Sequence, residues 1–123
     1  MKQSIMKKWV AALRSGKYHQ ISGELSECDS RTSKRGFCCL GVLTDLCAKN
    51  FDLPLEAVLS IEQGGGICGD VEKWSGMVSA FGDLPKMALA EHSVKHKSLA
   101  TLNDYGANFK QIADVIEENW KKL

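Results

Sequence analysis

The sequence predicts an α+β fold, with a small antiparallel sheet packed against three main helices: N-terminal, central and C-terminal. Three patterns predict it. Apolar residues recur at helical spacing near both ends of the chain. A helix-like apolar run occupies the centre around Leu40. Between the first helix and that run, residues alternate apolar and polar as a strand does. A length of 123 residues suits a single domain, 1–123.

Residues 4–15 read as the first helix. Ile5, Trp9, Ala12 and Leu13 form one stripe, Ser4 is placed to cap it, and Gly16 stands where a left-handed residue ends a helix. Residues 18–27 read as a strand, with His19, Ile21 and Leu25 on one face and Gln20, Ser22, Glu24 and Ser26 on the other. Residues 28–34 are polar and rich in turn formers, and 35–38 pair back to complete a hairpin. Residues 40–49 read as a buried helix with Leu40, Leu43, Leu46 and Cys47 inward and Thr44, Asp45 and Ala48 opposite. Helix propensity disfavours Gly41 so near a helix start, which implies that another part of the chain packs close to it.

Pro54 suits the first turn of a short helix over 54–61. Gln63-Gly64-Gly65-Gly66 reads as a flexible turn. Residues 70–77 suit one helical turn with Val71 and Trp74 inward, 77–80 a short strand and 81–85 a turn; 86–97 favour no single element. Residues 98–104 read as helical, stopping at Gly106. The last helix is marked by a capping box, Asn108 with Gln111. Its stripe is Phe109, Ile112, Ala113, Ile116 and Trp120, opposite Lys110, Asp114, Glu117, Glu118 and Lys121.

The hydrophobic content of 44% with 25% charged residues suits a packed core and excludes a disordered chain. A net charge of +1 argues against a nucleic-acid binder, whose affinity comes largely from phosphate neutralisation. The N-terminal residues lack the apolar core of a signal peptide, and no apolar run approaches the ~18 residues of a membrane span. Five cysteines cannot all pair within one chain. Reduced thiols in a cytosol, away from membranes, are the expectation.

Several residue sets bear on chemistry. Cys38 or Cys39, at the start of the central helix, has the position in which a helix dipole and free amides stabilise a thiolate. His92 or His96 would serve as base and Asn103 or Asp104 as orienter, in the residue order of papain-like cysteine hydrolases. Against this, free cysteines pack readily as small hydrophobes. His92 and His96 stand one helical turn apart, yet the chain has no Cys-x-x-Cys pair and Lys95 and Lys97 flank His96, so no metal site and no cofactor are expected. The glycine-rich stretch at 63–69 lacks the lysine and hydroxyl of a phosphate-binding loop. Arg31, Lys34 and Arg35, among Ser30, Thr32 and Ser33, offer a better anion seat, although a solvated hairpin tip explains them as well. Asn103 and Asp104 suit a helix stop, or a polar corner that reads a ligand. Trp74 could stack on a base, or belong to the core with Trp9 and Trp120.

Three blocks then resemble a family of small phage and prophage proteins: Trp9-Val10-Ala11-Ala12-Leu13-Arg14-Ser15-Gly16-Lys17-Tyr18-His19-Gln20, Gly36-Phe37-Cys38-Cys39-Leu40-Gly41-Val42-Leu43-Thr44-Asp45-Leu46, and Leu99-Ala100-Thr101-Leu102-Asn103-Asp104-Tyr105-Gly106-Ala107-Asn108-Phe109-Lys110-Gln111-Ile112-Ala113-Asp114. The resemblance implies a virus-encoded accessory protein acting against host defence in the cytoplasm of an infected bacterium. On that footing the leading expectation is a binding protein that sequesters a host nucleotide immune signal. Arg31, Lys34 and Arg35 would hold phosphates and an aromatic such as Trp74 the base. The alternatives are direct inhibition of a host defence protein through an apolar patch, and a cysteine hydrolase. Met6, Val10 and Val115 widen the two terminal stripes, which suggests a homodimer built on those helices.

Overall fold

The computed structural model describes residues 1–60, 65–85 and 97–123. Six helices and three short strands are present among them: α1 (Gln3–Arg14), β1 (His19–Gln20), β2 (Ser26–Cys28), β3 (Arg35–Phe37), α2 (Cys39–Asn50), α3 (Leu55–Leu59), α4 (Gly69–Ser75), α5 (Leu99–Asp104) and α6 (Phe109–Asn119). The class is α+β, as the patterning predicts.

The sheet has the order β1-β3-β2 and is mixed. β2 and β3 form the expected antiparallel hairpin, with Glu27 opposite Gly36. The stretch expected as one strand over 18–27 is broken. β1 runs parallel to β3, with His19 beside Gly36, and the Ile21 N–H adds a bond to the Phe37 carbonyl at 3.0 Å. The chain then turns through Gly23 at φ +87°, a conformation that favours glycine, and returns along the other edge of β3. An Asp104 carboxylate oxygen accepts the Gly23 N–H at 2.9 Å.

α2 is the axis of the core. Leu40, Val42 and Leu43 are sealed from solvent, and Trp9 of α1 packs there with its indole N–H donating to the Cys39 carbonyl at 2.9 Å. Ile112 and Ile116 of α6 and Leu99 of α5 complete the cluster. The close approach expected at Gly41 is the Leu25 carbonyl: a Cβ at Gly41 would lie 1.7 Å from that oxygen.

The two-sided reading of α2 is corrected. Thr44, Asp45 and Ala48 are buried, while Leu46 is only partly so. Burial of the polar pair is possible because each has a partner. The Thr44 hydroxyl donates to the Leu40 carbonyl at 3.0 Å, and Asp45 accepts from Tyr18 and pairs with Lys49.

Other boundaries differ. Lys2, not Ser4, is the N-cap of α1, and no side chain caps that end. Gly16 follows the helix at φ +74° as expected. Pro54 is the N-cap of α3, and the rest of its expected span, Ile61, lies outside the described residues, as do Gln63, Gly64 and 86–96. Residues 77–80 form no strand; the Ile67 N–H donates to the Ala80 carbonyl at 2.9 Å, and Asp83 bridges Ser98 instead. The Asn108–Gln111 capping box is present on α6, and Ser98 and Thr101 make another on α5. Trp120 is half-buried at the core margin, where Trp9 is central. Met6, Val10 and Val115 are all buried within the single chain, so the wide stripes need no second copy to cover them.

Candidate functional site

Among the described residues, the sequence-derived candidates do not converge on one site. Cys38 is the N-cap of α2, as its position suggests, but its sulfur is buried and accepts the Gly41 N–H at 3.4 Å. Cys39 is sealed in the core, with its thiol against the Leu99 carbonyl at 3.5 Å. Burial first, and the neighbouring Cys38 second, raise its pKa well above the ordinary thiol value, which keeps it protonated and unreactive. His92 and His96 lie outside the described residues.

Asn103 is a structural hub. Its Oδ1 accepts from Gln20 Nε2 at 2.9 Å and from the Cys39 N–H at 3.1 Å, and its Nδ2 donates to the Ile21 carbonyl at 2.7 Å and weakly to Asp104 at 3.5 Å. With those bonds made and only 1% of its surface exposed, it has nothing left to read a ligand. Asp104 is engaged at Gly23.

The basic loop is also partly neutralised. Arg35 donates to the Ser26 hydroxyl at 3.1 Å and forms an ion pair with Glu56 of α3. Asp29 folds the loop on itself, its carboxylate accepting the Arg31 N–H at 2.8 Å and its carbonyl the Ser33 N–H at 2.8 Å. Arg31 and Lys34 remain exposed. Lys34 faces a cleft of about 530 Å3 that also contains Glu27 and Asp29, two carboxylates where phosphates were expected. Trp74 lines a different cavity.

That cavity is the more apolar of the two. A cleft of about 610 Å3 lies between the end of α2, the turn that follows it, α3 and α4. Cys47, Phe51, Leu53, Ala57, Val58 and Trp74 supply an apolar wall, with Lys2, Asp70 and Lys73 at its edge. Phe51 is 55% and Leu53 50% exposed, although both are large apolar residues. Asp52 between them adopts φ +53°, which aspartate tolerates better than most residues. Trp74 is half-buried on α4, whose inner face is fixed by Val71. Lys2 secures the end of α4 by donating from Nζ to the Trp74 carbonyl at 2.7 Å and from its backbone to the Ser75 carbonyl at 2.8 Å. The side chains of Asp70 and Lys73 are exposed and make no hydrogen bond or ion pair among the described residues, although the Lys73 carbonyl accepts from Lys2 Nζ at 3.2 Å. Burial pushes the Cys47 thiol up to about 11, helped by Cys68 and Asp70 nearby, so it lines the cleft as a neutral group. Volume, apolar walls and a few polar edge groups are the usual make-up of a small-molecule site.

Sequence reasoning named Trp74 but missed Phe51 and Leu53. The signal was present: two large apolar side chains in a turn between helices, where polar turn formers are usual.

No set of three His, Cys, Asp or Glu side chains among the described residues is arranged to hold a metal, and no helix among them is long and apolar enough to cross a membrane. Fold and site together define a small α+β protein with a preformed apolar cleft beside a buried central helix. The chain belongs to the family of a domain of unknown function, DUF8296, which matches it over residues 1–120. No curated protein and no solved structure matches it.

Proposed function

We propose that this is a phage-type accessory protein that binds its target without transforming it, and that the target is a nucleotide signal of the host seated in the Phe51–Trp74 cleft. One observation carries the reading: two aromatic side chains line one cleft whose edge holds an ammonium, Lys73, and a carboxylate, Asp70, neither of them paired among the described residues. A base can stack on an indole. Asp70 can accept from a base amino or imino edge, and Lys73 can meet a phosphate. This moves the proposed seat from the hairpin loop to the helical side of the molecule. Calorimetry of the full chain against cyclic and ADP-ribose-derived nucleotides tests it. Binding at tens of micromolar or tighter supports the reading; a flat response across the panel removes it.

A second reading is favoured by the exposure of Phe51 and Leu53 beside the cleft. Contiguous apolar surface of this kind also suits direct inhibition of a host defence protein by insertion of one of its apolar side chains. Recovery of one stoichiometric host partner, lost in Phe51→Ser, would favour it over the nucleotide. The cysteine hydrolase draws no support from Cys39, which is sealed and protonated.

A further inference from the structure

A second cavity, of about 580 Å3, lies on another side of α2. Tyr18, Phe37, Leu46, Asp45, Lys49 and Lys17 line it. Its floor is a charged cluster. The Tyr18 hydroxyl donates to Asp45 Oδ2 at 2.5 Å, Lys49 Nζ reaches the same oxygen at 2.7 Å, and Lys49 also donates to the Tyr18 oxygen at 3.2 Å. Phe37 holds the Tyr18 ring edge-on, with centroids 5.1 Å apart.

Both partners of Asp45 use one oxygen. The other, Oδ1, makes no hydrogen bond among the described residues, although Asp45 is only 7% exposed. No unbonded side-chain oxygen among the described residues is sealed from solvent, so Oδ1 is accessible, and Asp45 is one of the residues that line the cavity. An accessible carboxylate oxygen on a largely buried residue that lines a cavity can take a donor from a ligand there. An ammonium is a poor candidate, because Lys49 already occupies that carboxylate and like charges repel. A neutral hydroxyl suits it. The two lysines outnumber the one carboxylate in the lining, and Lys17 is exposed with no side-chain partner among the described residues. That leaves an excess of positive charge at the mouth for an anion.

We propose that this cavity is a second binding site, for a hydroxylated anion of the sugar-phosphate class, with a hydroxyl on Asp45 Oδ1 and the phosphate between Lys17 and Lys49. Tyr18 helps by staying protonated. Burial first, and its bond to Asp45 second, raise its pKa above the usual phenol value, so its proton keeps Oδ2 occupied and directs the ligand to Oδ1.

The site is independent of the Phe51–Trp74 cleft, and the test separates them by residue. The full chain is titrated with glucose 6-phosphate, glucose and inorganic phosphate in separate arms, following backbone amide shifts. Glucose 6-phosphate is expected to shift the Lys17, Tyr18, Asp45 and Lys49 amides, and to saturate at lower concentration than either half. Lys17→Gln, at an exposed position, is expected to weaken it two- to fivefold with an unchanged unfolding midpoint. Asp45→Asn is expected to reduce it to the affinity of inorganic phosphate. No shift at these amides up to about 10 mM overturns the site. So does an equal response to inorganic phosphate in the unaltered chain, which marks an adventitious ion only, or indifference to Lys17→Gln. Shifts confined to Trp74 and Phe51 would support the cleft and overturn this proposal.

Discussion

Asn103 accepts the backbone N–H of Cys39 on its Oδ1 at 3.1 Å, across 64 residues of sequence. The first amide of α2 thereby finds an acceptor inside the core, where no water could supply one. The same side chain receives Gln20 and donates to Ile21, so one residue of α5 ties the central helix to the strand segment that precedes it.

Asn103→Leu is therefore expected to destabilise the fold strongly. It leaves the buried Cys39 N–H and the partly buried Ile21 carbonyl without this partner, at about 1 to 3 kcal/mol for a fully buried group and less for the other. A loss of roughly 3 kcal/mol or more in urea unfolding is expected. A change below about 1 kcal/mol would show that the hub does not hold the two elements together.

Gly41→Ala is expected to be worse tolerated than any surface change. The added methyl would meet the Leu25 carbonyl at 1.7 Å, a backbone atom that also accepts the Cys38 N–H. Relief requires moving Leu25, the residue that leads into β2, away from α2. A destabilisation of at least about 3 kcal/mol, or failure to fold, should appear in thermal melts followed by circular dichroism. A folded protein with an unchanged midpoint would contradict the packing of Leu25 on α2.

What could be read from the sequence was what is local. The Asn108–Gln111 box, the stop at Gly16 and the hairpin of β2 and β3 each depend on residues a few positions apart, and each is present. Parallel pairing of β1 with β3 depends on a turn at Gly23 that Asp104 supports from 81 residues away. The burial of Asp45 depends on Tyr18, 27 residues upstream. Amphipathic spacing assigns polar residues to solvent and has no view of a partner that lets them be buried. For the same reason Asn103 and Arg35 looked available for a ligand, and proved to be held by Gln20 and by Glu56.

Alkaline pH should weaken the protein. The Cys47 thiol, ordinarily at 9.0, is pushed up to about 11 by burial. The folded state therefore keeps this proton to higher pH than the unfolded chain does. Its stabilising effect is whole below pH 9 and is lost as pH rises through about 11. Tyr18, and Lys49 through its bond to Asp45, are also raised and act in the same direction. A rise from 9.0 to about 11 corresponds to about 2 to 3 kcal/mol for Cys47. Urea unfolding at pH 8 and at pH 11 should show a loss of that order, reduced in Cys47→Val. A flat profile would mean that the thiol is not sheltered.

Phe51→Ser separates binding from folding at the cleft. Phe51 is 55% exposed, so its removal should change stability by no more than about 0.5 kcal/mol. Trp74 shares the cleft and is half-buried, whereas Trp9 is sealed in the core. A ligand stacking in the cleft should therefore quench the emission of Trp74 and leave that of Trp9. With ADP-ribose as the probe, saturable quenching is expected in the unaltered chain. It should weaken about tenfold in Phe51→Ser, for the loss of one aromatic contact of 1 to 2 kcal/mol. Lys73→Gln should weaken the same probe while leaving an uncharged adenosine control unaffected, because only the phosphates meet the ammonium. Equal losses for both ligands would place the phosphates elsewhere, and undiminished quenching in Phe51→Ser would place the base outside the cleft.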